Sequence, residues 1–437
     1  MREGQEQRNA AETAMAGSRA RAEEARRARR RNAVIGVVLA VVVIGGLGTV
    51  AAFSTAADTP GADSAAAAAD GQSGSVGATD SGASAETKVV TDSTGRQVTV
   101  PAEPQSIAVM DPFSGELLVM GGAGDRMCGV PGGVISDKIL QQIYPALATG
   151  PMQLSGSSVN VEALASRSCD VALVRGTLPD AERAKLDRVG IPYVVVDYTT
   201  MREQIKAMRL VGEVCGGAVQ DKVEALASYY EVTLAEVEAK AALIPEDERL
   251  RVYHSINDIL LTDASGSLGA DWVEAVGCID VSAGQQATSG SDYSTSLEQV
   301  YAWAPDVVIC NVASTADSLA ADSKWAGLEA VAEGRVHKIP IGATRWGQRG
   351  DVETYLALLW LGCTVYPDYY GDVDFKQRVV DYYHDYLGVD VDDETYGMIV
   401  SGEGIRSEGT GGGDGGGTGT GGGNGTGGGN GTGGGGN

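Results

Sequence analysis

The sequence predicts an α/β protein of two lobes joined by one long helix, and three observations carry that prediction. Short apolar strand patterns alternate with helical ones before residue 200 and again after Pro245. Between them, residues 201–243 run without Pro, and Ile205, Met208, Val211 and Val214 recur at helical spacing. Both ends depart from globular composition, which leaves about residues 88–405 for folding, enough for two lobes of ordinary size.

Taken in order, the chain opens with a basic head. Residues 1–32 carry nine Arg against five Glu, so the formal net charge of −25 falls wholly on the remainder. An acidic body argues against nucleic acid as a partner, because neutralising phosphates needs clustered Lys and Arg. Residues 33–53 form an uncharged apolar run long enough to cross a membrane as a helix. The Arg-rich stretch before it is expected on the cytoplasmic side, which places the body outside the cytoplasm. A cleaved signal peptide is the competing reading, and the length of the run and of its basic head favours an uncleaved single-pass anchor. No Cys follows the run closely, so a lipid-modified cysteine is not the tether. Residues 54–87 are rich in Ala, Ser, Gly and Asp and read as a disordered stalk; residues 407–437 read as a disordered Gly-rich tail.

Within the body, residues 88–200 form the first lobe. Lys88-Val89-Val90 and Gln97-Val98-Thr99-Val100 alternate at period two around Asp92-Ser93-Thr94-Gly95, a hairpin signal. Strands are expected at 106–109, 170–174 and 193–196, and helices at 113–120 and 179–189. The run 201–243 is the bridging helix, which Gly216-Gly217 could break or kink. Residues 244–406 form the second lobe, where strand–helix alternation resumes and the chain ends in helices at 351–365 and 374–387. The six cysteines stand in no CxxC pair and at no zinc-ligand spacing; most read as small buried hydrophobes. An extracytoplasmic location would permit one or two disulfides, whose pairing the spacing does not determine.

Several fragments in one order resemble a known family. They include Asp92-Ser93-Thr94-Gly95-Arg96, Val159-Asn160-Val161-Glu162-Ala163-Leu164 and Cys169-Asp170-Val171-Ala172-Leu173. In the second lobe they include Ser296-Leu297-Glu298-Gln299-Val300, Ala304-Pro305-Asp306-Val307 and Gly334-Arg335-Val336. This body resembles the helical-hinge solute-binding proteins of ABC importers for siderophores, haem and cobalamin. That family usually has Pro where Cys169 stands, so this turn departs from the pattern. The resemblance implies a class III periplasmic-binding-protein fold of two Rossmann-like lobes, with a ligand cleft between them. It implies as partners a permease dimer with its ATPase, and as ligand a metal chelate: a ferric siderophore, haem or a corrinoid. It also implies that Glu162 and Glu298, at matching positions of the two lobes, dock onto permease arginines.

Ligand contacts are expected from loops at the C-terminal ends of strands. In the first lobe these supply Met110, Phe113, Met152, Arg175 and Tyr198; in the second, His254, Tyr293, Asn311, Arg345 and Trp346. Phe113 and Trp346 are expected to stack on a flat ligand, and Arg175 and Arg345 to neutralise an anionic one. Haem would want an axial ligand such as His254, Tyr293 or Tyr198. No resident metal or cofactor is expected, and no catalytic residue, because GxSxG, P-loop and HExxH patterns are missing. A tethered scavenger or sensor of the same ligands, without its own importer, is the alternative reading.

Overall fold

The computed structural model describes residues 86–404 of the 437-residue chain. The basic head, the apolar run 33–53, nearly all of the stalk and the Gly-rich tail therefore lie outside the described residues. Among the described residues, no helix is long and apolar enough to cross a membrane.

A hairpin opens the body: Thr87–Thr91 (β1) pairs antiparallel with Gln97–Pro101 (β2). Asp92 closes its turn by accepting hydrogen bonds from Thr94 N at 3.0 Å and Arg96 N at 3.1 Å. The first lobe is a parallel five-stranded sheet of Ile107–Val109 (β3), Met127–Pro131 (β4), Met152–Leu154 (β5), Val171–Val174 (β6) and Tyr193–Val195 (β7). Its order is β5-β4-β3-β6-β7, so the winding reverses at β3. Strands β3 and β6 are buried along their whole length, as a parallel sheet covered on both faces requires.

The second lobe adds Arg251–Ser255 (β8), Leu261–Asp263 (β9), Ile279–Asp280 (β10), Asp292–Ser294 (β11), Val307–Cys310 (β12) and Val336–Lys338 (β13). Four of these form a parallel sheet in the order β10-β8-β12-β13, while β9 and β11 pair antiparallel beside it. In both sheets a winding reversal creates a crevice at the C-terminal strand ends, where open α/β sheets bind ligands.

The single bridging helix is corrected by the structure. Met201–Cys215 and Gly217–Ala241 are two helices, broken where Gly216 and Gly217 both take positive φ, +68° and +54°. A side chain at Gly216 would also come within 2.8 Å of the Ala102 carbonyl oxygen. The chain turns back there, and the helices lie antiparallel. Arg202 pairs with Glu238 at 2.6 Å, and Arg209 with Glu224 at 3.0 Å and Glu231 at 2.9 Å. The first helix starts against the second lobe, where Asp271 accepts from Met201 N at 2.7 Å. It ends against the first, where Arg126 donates to the Cys215 carbonyl at 3.2 Å. The second helix runs back and reaches the second lobe beside Asp372, which pairs with Lys240 at 2.5 Å. The lobes are thus joined by a helical hairpin. One continuous core runs through it, from Leu117 and Val119 through Val223 and Tyr230 to Trp272, Trp346 and Tyr355.

Candidate ligand-binding seam between the lobes

The seam is built from first-lobe strand ends and one second-lobe segment, residues 341–353. From β3 the chain passes Met110 and Asp111 into the helix Pro112–Gly121. Asp111 is the N-cap: its Oδ1 accepts from Ser114 N at 2.9 Å, and Pro112 sits at the first helical position, where no N–H is needed. Its other oxygen, Oδ2, is buried with no hydrogen-bond partner among the described residues. Burial pushes the Asp111 carboxyl up, partly offset by the Arg175 guanidinium after β6 and by Arg349.

Segment 341–353 closes over these groups. Arg349 forms an ion pair with Asp197 beyond β7, and Gly350 N donates to Tyr198 Oη at 3.0 Å. A Cβ on Gly350 would lie 2.9 Å from Arg175 Nη2. Farther along, Val352 N donates to Glu116 Oε2 at 3.2 Å, and the Asp351 carbonyl accepts from Gln204 at 2.7 Å. Burial, and then the adjacent Arg175, pulls Arg349 below its ordinary value. Arg175 from the first lobe and Arg349 from the second thus come together around Gly350, with the carboxylates of Asp111 and Asp197 beside them.

The segment's course is dictated by two buried acids. Asp351 accepts from Gly347 N at 2.7 Å, from Thr344 Oγ1 at 2.9 Å and from Glu353 N. Glu353 accepts from Thr344 N at 2.8 Å and from Tyr383 Oη. Burial and the neighbouring Glu353 push Asp351 up to about 8; burial and the acids Asp351 and Glu353 hold Glu116 well above the carboxylate range.

Of the expected contact residues, Arg175 and Tyr198 meet at this seam, with Met110 directly before Asp111. Tyr198 also packs its ring on Phe113, centroids 4.7 Å apart, so Phe113 is a core residue at 1% exposure and offers no free face. Trp346 is likewise fully buried, edge-on to Phe375, and the expected stacking platform is corrected accordingly. Its sequence neighbour Arg345 is half-buried and bridges back to Ile341; the seam arginine on this segment is Arg349, four residues on. Met152 lies on the edge strand β5, and Tyr293 lies in β11 against Trp303, centroids 6.3 Å apart.

His254 and Asn311 come together at the ends of β8 and β12, inside the second lobe. Asp263 Oδ2 stands 2.6 Å from His254 Nδ1, and Asn311 Oδ1 stands 2.8 Å from Nε2. Both ring nitrogens are engaged and the residue is buried, so His254 is not placed as an axial ligand. Burial alone would lower this imidazole, but Asp263 and Asn311 outweigh it and raise it. The ring stands edge-on to Trp272, whose Nε1 donates to the Gly347 carbonyl at 2.9 Å, tying this cluster to segment 341–353.

Glu162 and Glu298 occupy the same place in the two lobes. Each is exposed and is the second residue of a short helix, Val161–Ser166 or Leu297–Trp303, capped by Asn160 or Ser296. Each helix is followed by a non-glycine residue at positive φ, Ser168 at +50° and Ala304 at +44°. An Asp then accepts a backbone N–H at 2.7 Å: Asp170 from Gln105, Asp306 from Arg251.

Comparison with known proteins agrees with this fold. The chain is 26% identical over 318 residues to the molybdate-binding protein MolA of Haemophilus influenzae, covering 68% of this chain and 90% of that protein. It is 24% identical over 268 residues to YvrC of Bacillus subtilis, an uncharacterized ABC transporter substrate-binding lipoprotein, covering 60% and 81%. Among solved structures, a periplasmic solute binding protein from Veillonella parvula matches with a TM-score of 0.61 at 24% identity, covering 72% of this chain and 97% of that one. Molybdate-bound MolA matches with a TM-score of 0.62 at 23% identity, covering 70% and 99%. Each of these relatives is named as a binding protein for a solute or substrate. Residues 107–341, more than half of the chain, match the family described as periplasmic binding protein, and to that family this chain belongs.

Proposed function

We propose that this protein is the extracytoplasmic substrate-binding component of an ABC importer, tethered by residues 33–53, and that its ligand is a compact anionic metal species. The observation carrying the ligand reading is the approach of Arg175 and Arg349, one guanidinium from each lobe, around Gly350. A small oxoanion of the molybdate kind, or a small anionic chelate, matches two guanidinium groups and the hydrogen-bonding capacity around them. Of the wider classes, haem and corrinoids ask for an aromatic platform or an axial ligand, and Phe113, Trp346 and His254 are committed to the core. A ferric siderophore remains within the reading if its anionic face enters first. Glu162 and Glu298 serve as the two docking carboxylates for the permease.

Titration calorimetry of the body, with tryptophan fluorescence alongside, tests this. The ligands are molybdate, tungstate, ferric siderophores, haem and cobalamin. Trp272, bonded to the Gly347 carbonyl, reports on segment 341–353. The expected result is saturable binding of an anionic species, weakened ~100-fold by Arg175→Met or Arg349→Met. Tight binding of haem or cobalamin that survives both substitutions would overturn the ligand reading.

A further inference from the structure

A cavity at the far end of the first-lobe helix Pro112–Gly121 has no part in the seam. Asp111 caps that helix at the seam, whereas the cavity opens at Gly121 and Gly122, about 15 Å away along the helix. It encloses about 380 Å³, within the range of small-molecule sites. Three parts of the chain wall it. The first lobe supplies Val119 and Ile143, the hairpin helix Gly217–Ala241 supplies Leu226, and the second lobe supplies Tyr386 and Leu387.

Each wall stays open for an identifiable reason. On the first lobe, Gly121 and Gly122 present no side chain, and Gly122 takes φ +82° as the left-handed cap of its helix. Gly121 also lets the lobe sit close on the hairpin: a Cβ there would lie 2.7 Å from Val219 Cγ1. On the hairpin, Ala225 leaves room beside Leu226. On the second lobe, the helix Phe375–Tyr382 widens into a π-helical turn, Tyr383–Leu387, that stops at Gly388 with φ +65°. Such turns are rare and are found often at functional sites. This one sets Tyr386 against Tyr229 and Tyr382, ring centroids 5.3 and 5.7 Å apart, so the wall is held by its own aromatic packing.

The charge at the mouth selects the occupant. Lys222 leans over the cavity, with its Nζ 3.2 Å from a Cβ placed on Gly122. Arg202, Arg209 and Lys240 of the same hairpin each pair with an acid, but Lys222 forms no ion pair among the described residues. Asp385 lies on the second-lobe wall, so an anion is placed on the Lys222 side. We propose that this cavity is a second binding site, for an aliphatic carboxylate whose chain lies among Val119, Ile143, Leu226 and Leu387 and whose carboxylate pairs with Lys222. An apolar trough with one free cation at its mouth complements an acyl chain that ends in a single negative charge. A molecule there touches both lobes and the hairpin between them, so binding should raise the unfolding temperature of the whole body.

The test is calorimetry on the full chain with hexanoate, octanoate and decanoate, kept below micelle formation, and with decylamine as the cationic control. Ala225→Phe occludes the cavity and Lys222→Met removes the charge, both from exposed helical positions. The expected result is one saturable site that tightens roughly fourfold with each added methylene. It should weaken about tenfold in Lys222→Met and be lost in Ala225→Phe. Arg175→Met, at the seam, should leave decanoate binding unchanged, so this test and that of the seam ligand fail separately. Saturable binding that survives Ala225→Phe would overturn the site, and decylamine binding as tightly as decanoate would overturn the carboxylate assignment. No saturable heat at any chain length would overturn both.

Discussion

The imidazole of His254 lies between a carboxylate and an amide oxygen, an arrangement that a protonated ring satisfies better than a neutral one. Its folded value is raised, so its contribution to stability is complete below the unfolded imidazole value near 6.5 and fades as pH climbs through the folded one. Asp263→Asn should cost on the order of 3 kcal/mol at pH 6, and less at pH 8, by chemical denaturation. The buried acids act in the same direction. Asp351 is held near 8, Asp137 near 7 and Glu116 well above its usual range, each chiefly by burial. Acids raised by folding stabilise below their unfolded values, near 4, and lose that stabilisation as pH rises toward the folded ones. The melting temperature should therefore fall between pH 5 and pH 8, and Asp351→Asn should flatten that slope. A melting curve that rises across this interval would contradict the burial argument. At this scale the sequence was only partly legible. Arg175 could be placed from the end of an apolar strand. Arg349 could not, because the path of residues 341–353 depends on the hydrogen bonds that Asp351 accepts from Thr344, Gly347, Glu353 and Thr354, which no local pattern announces.

Among the elements, the helix–strand alternation, the opening hairpin and the long helical run were readable because their apolar periods are clean. What escaped were β4, β5, β10, β11 and β13, short strands whose residues include Cys128 and Gly129, Gln153, Asp280, Asp292, or His337 and Lys338. Such segments become strands by pairing with a neighbour rather than by propensity. The corner at Gly216-Gly217 was visible as a weakness in the run, but whether it kinked or reversed the chain depended on tertiary packing. Gly212 faces Val223 there, with only 3.2 Å between Val223 Cβ and a Cβ placed on the glycine. Gly216→Val combines a positive φ with a clash against the Ala102 carbonyl and should destabilise by about 1–3 kcal/mol in urea. Gly190→Ala, also at positive φ but with nothing near its side, should cost less.

For the whole molecule, the repeated placement of Glu162 and Glu298 gives a rigid body two exposed carboxylates, each on a capped helix at an equivalent point of its lobe. Reversing both charges should abolish uptake in cells while leaving the affinity of the isolated protein unchanged within ~2-fold, since neither residue lies at the seam. Normal transport by the double variant would remove the docking assignment. The architecture could be anticipated from sequence, because two α/β blocks around a helical run admit few arrangements. The lobes' shared core could not, because it arises from a hairpin folding back on itself. That core has a kinetic meaning. A body whose lobes share apolar packing through two antiparallel helices resists swinging open as a pair of jaws. The contacts across the seam, by contrast, are a few polar ones: Arg349 with Asp197, Gly350 with Tyr198, Val352 with Glu116. On the proposed reading, a solute held at the seam leaves through local changes around Arg349 and Gly350 rather than a swing of the lobes, so single hydrogen bonds there would tune its dissociation rate.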